Sequence, residues 1–191
     1  MFDIVLIVIA ALITMFVIIV ALKPPRARVS RSAMISAPVS EVFNQVNDLR
    51  NWPAWSPWMK LDPAVRIEFD GASAGTGAIY RWHGNQQIGE GNMTILESRP
   101  DELIRIRIEF VRPYPGANIT EFSFENNEGK TLVIWTMTSY ANFITRAIAL
   151  IVNMEKAVGV QFEQGLENIR SIVEGNDVAD GKVDENIGGL S

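Results

Sequence analysis

The chain opens on an unbroken apolar run: from Ile4 to Leu22 no residue is charged, and Thr14 alone is polar. As a helix rising about 1.5 Å per residue this run is about 28 Å long, close to the roughly 30 Å of a hydrocarbon core. It is apolar on every side, unlike the single stripe of a surface helix in a soluble domain. Its many β-branched residues weaken a helix in water, but in lipid the backbone must satisfy its own hydrogen bonds, so the helix forms. Lys23-Pro24-Pro25 ends it with a charge and two residues that cannot continue it. The predicted division is 1–23 as a transmembrane anchor and 24–28 as a juxtamembrane linker. A folded domain follows over 29–174, and 175–191 form a disordered tail, acidic, glycine-containing and poor in apolar residues.

After the linker the period changes. Val29 to Ser36 reads as a strand, and Pro38 suits the first turn of a helix whose apolar face is Val42, Phe43, Val46 and Leu49. Strand signals then follow over Val65–Phe69, Ala78–Gly84, Ile88–Leu96, Leu103–Phe110, Asn118–Glu125 and Thr131–Tyr140, divided by turns rich in glycine, proline, asparagine and acidic residues. Leu103–Phe110 alternates cleanly: Ile104, Ile106, Ile108 and Phe110 on one face, Arg105, Arg107 and Glu109 on the other. One side is buried and one is wet. Last comes a long helix, predicted from Phe143 to Val173, with Ile144, Ile148, Ile151, Val158, Phe162, Leu166, Ile169 and Val173 at three- and four-residue steps. Gly159 and Gly165 inside it each cost about 1 kcal/mol relative to alanine, which calls for a packing reason or a bend. The sum is an α+β domain whose antiparallel sheet needs this helix against its apolar face.

Composition narrows the function. With 191 residues the chain can bury a core without staples, and with no cysteine it has neither a disulfide framework nor a thiolate nucleophile. A net charge of −5 argues against a nucleic-acid binder. The N-terminus carries Asp3 and no Lys or Arg before the apolar run, and no small-residue cleavage site follows it. A retained anchor is therefore favoured over a cleaved signal. Lys23, Arg26, Arg28 and Arg31 flank the span on its C-terminal side, which keeps that side in the cytoplasm. The expected location is a single-pass protein, in a bacterial inner membrane, with its C-terminal domain cytoplasmic.

Several segments carry a family resemblance. They are Ser36-Ala37-Pro38-Val39-Ser40-Glu41-Val42-Phe43, the run Asp48-Leu49-Arg50-Asn51-Trp52-Pro53-Ala54-Trp55-Ser56-Pro57-Trp58, Gly89-Glu90-Gly91-Asn92-Met93-Thr94-Ile95, and the closing Phe162-Glu163-Gln164-Gly165-Leu166-Glu167-Asn168-Ile169. Together with the element order they resemble the SRPBCC superfamily, which includes START-like domains, and within it the bacterial polyketide cyclase/dehydrase branch. The resemblance implies a helix-grip fold, with about seven curved antiparallel strands around the long C-terminal helix. It also implies a cavity between them for a lipid or another hydrophobic small molecule. None of these motifs is specific for a reaction.

Residues expected to face that space are Tyr80, Trp82, Met93, Ile106, Phe110, Phe122, Phe124, Trp135 and Met137 on the sheet, with Ile151, Val158 and Phe162 on the helix. Aromatics and methionines of this kind line adaptable apolar pockets, and they also fill cores. Trp52, Trp55 and Trp58 form the most distinctive cluster. Pro53 and Pro57 keep it from being a regular helix, and it suits either a lid over a pocket mouth or a plug at one end of the sheet. The turn from Arg112 to Gly116, with Tyr114 at its centre, is expected to border the cavity. The predicted ligand contacts are thus Trp52, Trp55, Trp58, Tyr80, Trp82, Met93, Phe110, Tyr114, Phe122, Trp135, Met137, Val158 and Phe162.

Catalytic chemistry finds few parts. His83 is the one histidine and falls opposite Tyr80 and Trp82, so a zinc site or a nucleophile–histidine pair lacks members. Gly71–Gly77 lacks the Gly-Lys-Ser/Thr ending of a phosphate loop. No cofactor, metal or catalytic residue is assigned. The expected function is non-catalytic binding of a lipid or other hydrophobic molecule by a membrane-anchored domain. The alternative is a cyclase or dehydratase in which Tyr80, Glu90 or Tyr114 moves protons within one cavity. A third possibility is an interaction scaffold with a closed core and an exposed apolar patch.

Overall fold

The structure is a computed structural model that describes residues 2–140, 143–148, 150 and 154–175. Its elements are α1 (Phe2–Leu22), β1 (Arg26–Ile35), α2 (Val39–Asn47), a one-turn α3 (Trp52–Trp55) between two 3₁₀ turns (Leu49–Asn51 and Pro57–Leu61), β2 (Arg66–Gly71), β3 (Ala78–His83), β4 (Glu90–Arg99), β5 (Leu103–Arg112), β6 (Gly116–Asn127), β7 (Lys130–Tyr140), α4 (Phe143–Ile148) and α5 (Met154–Val173). The seven strands form one antiparallel sheet in the order β1-β7-β6-β5-β4-β3-β2. β2 to β7 run as a meander. β1 then returns along β7, so α2 and α3 must cross from one edge strand to the other.

The sheet is curved for a local reason. The β4–β5 register breaks at Glu90/Gly91 and again at Ile95/Glu97, and such irregularities bend a strand and sharpen its twist. The concave face is the apolar one: Ile104, Ile106, Ile95, Phe122, Phe124, Val133 and Trp135 are all buried there. Val42, Phe43 and Val46 of α2 pack under one end of it. Pro38 sits at the N-cap of α2, just before the first turn where it was expected, and its carbonyl accepts the backbone N–H groups of Glu41 and Val42.

α5 runs beside β1 in the same direction. Arg31 Nη1 meets Glu155 at 2.9 Å and Arg31 Nε meets Glu163 at 2.6 Å; further on, Arg170 Nη2 donates to Met34 O and Ser36 N–H to Glu174. Phe162, Leu166 and Ile169 turn inward from it. The packing reason for both glycines is direct. A Cβ at Gly159 would run into the Arg31 guanidinium, and one at Gly165 would lie 2.8 Å from Trp135 Cζ3.

One sequence expectation changes. The helix predicted over Phe143–Val173 is two helices, with Leu150 in a turn whose N–H reaches Ala147 O at 3.2 Å. The first piece serves a different neighbour: α4 lies against the end of α1, where Arg146 Nη1 donates to Ala21 O and Lys23 O, both at 3.3 Å. Ile151 and all of the predicted tail except Gly175 lie outside the described residues. α1 is long and apolar enough to cross a membrane, with a mean hydropathy of 3.4 over Asp3–Leu22. Only Val20 of its described residues is fully buried, at the end next to α4.

Candidate functional site

The concave face changes character along its length. At the α2 end, Ile104 and Ile106 of β5 are completely buried, while Ile108 and Phe110 on the same strand face are half-buried. β7 repeats the gradient, from Val133 and Trp135 to Met137 and Ser139. β6 repeats it from Phe124, Phe122 and Thr120 to Asn118, and α5 from Ile169, Leu166 and Phe162 to Val158. Four elements therefore agree: this surface is filled at one end and half-open at the other.

Aromatic rings do the filling. Trp135 is stacked between Phe162, at 3.9 Å and 6° between planes, and Phe122, at 4.6 Å and 27°. Trp52 and Trp55 meet Phe122 and Trp135 edge-on, and Trp58 does the same to Trp135 and Phe162. The buried indole N–H groups all have internal acceptors: Trp52 to Val46 O at 3.0 Å, Trp55 to Gln45 O at 2.9 Å, and Trp135 to Thr120 Oγ1 at 2.7 Å. Thr120 passes its own hydrogen on to Thr136 O. With its rings interlocked and its donors used, this segment closes the α2 end of the sheet as a plug. Trp58 alone of the three tryptophans is half-buried.

A second aromatic group forms where β3 and β2 curl over. Tyr80 touches Phe69 at 5.5 Å between ring centres, and Trp82 meets Phe110 at 5.7 Å. Trp82 donates to Ile88 O, and the Tyr80 hydroxyl reaches only the Met59 sulfur, at 3.4 Å. Burial pushes the Tyr80 phenol up to about 12. Met93 is buried beside Tyr80 in the neighbouring strand.

The three side chains that would move protons in a cyclase are not together. Tyr80 faces inward. Glu90 lies on the convex face, held by both nitrogens of the Arg112 fork, with His83 Nδ1 at 3.7 Å from it. Tyr114, expected to border the cavity, is 82% exposed on the turn beyond β5. Among the described residues no three His, Asp or Glu side chains gather as a metal site. A separate depression of about 320 Å³ lies at the far end of the sheet, between Pro38–Ser40 and Asp101, Asn126 and Gly129. It lies at the start of α2 and is lined by none of the aromatic residues.

Sequence reasoning missed the polar members of the concave face: Arg31, Asn118, Thr120 and Ser139. Arg31 had a readable signal, since it alternates with the apolar Val29, Ala33 and Ile35 and so had to face inward.

A curled antiparallel sheet gripping a C-terminal helix, with helical turns between its two edge strands, is the helix-grip fold of the SRPBCC superfamily. The chain belongs to the family described as polyketide cyclase / dehydrase and lipid transport, which matches residues 26–174. Solved structures share the fold at low identity. Protein CV1439 from Chromobacterium violaceum is 17% identical with a TM-score of 0.56, over 80% of this chain and 99% of that one. The Aha1 dimer from Colwellia psychrerythraea is 13% identical with a TM-score of 0.57, over 81% and 99%. CalU16 from Micromonospora echinospora is 18% identical with a TM-score of 0.51, over 78% and 84%. No curated protein matches the chain.

Proposed function

We propose that this chain is a membrane-anchored, non-catalytic binder of a lipid or other hydrophobic small molecule. The guest is taken at the half-open end of the concave face, and α1 is the anchor, with the folded domain on the cytoplasmic side. The carrying observation is the burial gradient, which leaves Ile108, Phe110, Met137 and Val158 partly uncovered on facing elements. Asn118 and Ser139 lie among them as polar handles for a headgroup or a carboxyl. The family's description includes lipid transport, which supports this ligand class. The separation of Tyr80, Glu90 and Tyr114 favours binding over proton-transfer chemistry, because general acid–base catalysis needs its groups within reach of one substrate. The tryptophan plug is then a wall of the site rather than its lid.

Native mass spectrometry of the intact chain released from detergent tests this. A retained adduct of lipid mass is expected on the wild type and should fall several-fold in Ile108→Trp and Met137→Trp, which fill the open end. Circular dichroism checks that both variants remain folded. Lipid held only around α1 would be indifferent to these substitutions, so equal adduct on all three proteins, or on none, defeats the proposal.

A further inference from the structure

Outside α1, three large apolar or aromatic side chains among the described residues are more than half exposed: Val111 at 55%, Tyr114 at 82% and Tyr140 at 63%. The register puts all three at one end of the sheet. Tyr140 pairs with Arg26 at the start of β1, and Asn118 of β6 joins Ser139 of β7 to Ile108 of β5 in one row. β5 runs on past that row through Val111 to Arg112, so the turn carrying Tyr114 juts beyond it. This is also the end at which α1 enters, since β1 starts at Arg26 and α1 ends at Leu22.

Charge at this end runs against the whole-chain value of −5. Lys23, Arg26, Arg28 and Arg112 gather here and outnumber Glu90 and Glu109. Arg112 is paired with Glu90, and the Arg26 guanidinium sits over the Tyr140 ring, 5.3 Å from its centre. Tyrosine with its ring in the acyl boundary and its hydroxyl in the headgroups, flanked by basic residues, is the usual composition of a membrane interface. Basic residues near the surface also gain from anionic lipid.

We infer that this end of the domain is a second membrane contact: the Arg112–Gly116 turn dips Tyr114 and Val111 into the interface of the bilayer that α1 crosses, with Tyr140 and Arg26 beside it. The half-open end of the concave face then meets lipid directly, without water between. The inference rests on α1 being the anchor, and the experiment separates the two.

The chain has no cysteine, so single labels are clean. Ile13→Cys, Val111→Cys, Tyr114→Cys and Asn127→Cys of the full chain are labelled with an environment-sensitive fluorophore and reconstituted in phosphatidylcholine vesicles, with or without phosphatidylglycerol. Nitroxide-bearing lipids serve as quenchers. Position 127 lies at the opposite end of the sheet. Labels at 111 and 114 are expected to be quenched several-fold more than the label at 127, and more so with phosphatidylglycerol. Strong quenching at 13 with 111 and 114 no different from 127 overturns this inference while leaving the anchor intact. Absence of quenching at 13 overturns the anchor, and this contact with it.

Discussion

Gly165 and Gly159 sit six residues apart in the same helix and meet opposite kinds of neighbour. The Trp135 ring edge facing Gly165 is fixed by a stack on each side and by its own hydrogen bond, so it cannot yield. Gly165→Ala should therefore destabilise the domain by about 1–3 kcal/mol in urea unfolding despite its better helix propensity. At Gly159 the obstacle is the far end of a flexible arginine, which can swing out to solvent, and Gly159→Ala should be far milder in the same assay. Tyr80 gives a pH-dependent test. Its phenol ionises at about 12 when folded, against about 10 in an unfolded chain. Between those values the native state holds the proton and the unfolded state releases it, so stability falls as pH rises from about 10 towards 12 and is unaffected below. In tyrosinate absorbance the latest step should vanish in Tyr80→Phe. At this scale the sequence revealed which side chains were apolar, and alternation placed Tyr80 and Trp82 on the inner face. It did not show that the tryptophan indoles would find backbone acceptors within ten residues of themselves, because that depends on how the Pro53 and Pro57 turns fold back on α2.

The strands were the most legible elements. Their period of two survives tertiary packing except at the β4 irregularities, and Leu103–Phe110 reads as β5 almost residue for residue. The C-terminal helix was less so. Its apolar three- and four-residue steps continue through 143–173, but periodicity does not say which surface each stretch will cover. α4 goes to the end of α1, and α5 goes to β1 and the aromatic column. No local pattern records that change of partner. Phe162 measures what α5 contributes. It is buried, and it stacks on Trp135 as the helix-side end ring of the column. Phe162→Ala should cost about 3–5 kcal/mol in chemical denaturation, the range for emptying a large aromatic site in a core that cannot collapse around it. A loss of well under 1 kcal/mol would mean that the column is not the keystone between helix and sheet.

For the molecule as a whole, the apolar character of the inner face was legible in the sequence, but its half-open end was not. Tyr80, Trp82, Met93, Phe110, Phe122, Trp135 and Met137 share the inner face of the sheet, whereas Tyr114 stands exposed on its turn. Which members of that face stay partly uncovered is a property of curvature, set by the β4–β5 irregularities and by where α2 and α3 fill the bowl. The connection between α1 and the sheet has its own consequence. Only Lys23, Pro24 and Pro25 separate the helix from β1, and three residues extend at most about 11 Å. With α1 embedded, so short a leash forbids the domain from ferrying a guest across an aqueous gap to a second membrane. Under the proposed function its traffic would be vertical: a molecule lifted partly out of the domain's own bilayer, held at the surface, and passed to whatever docks there.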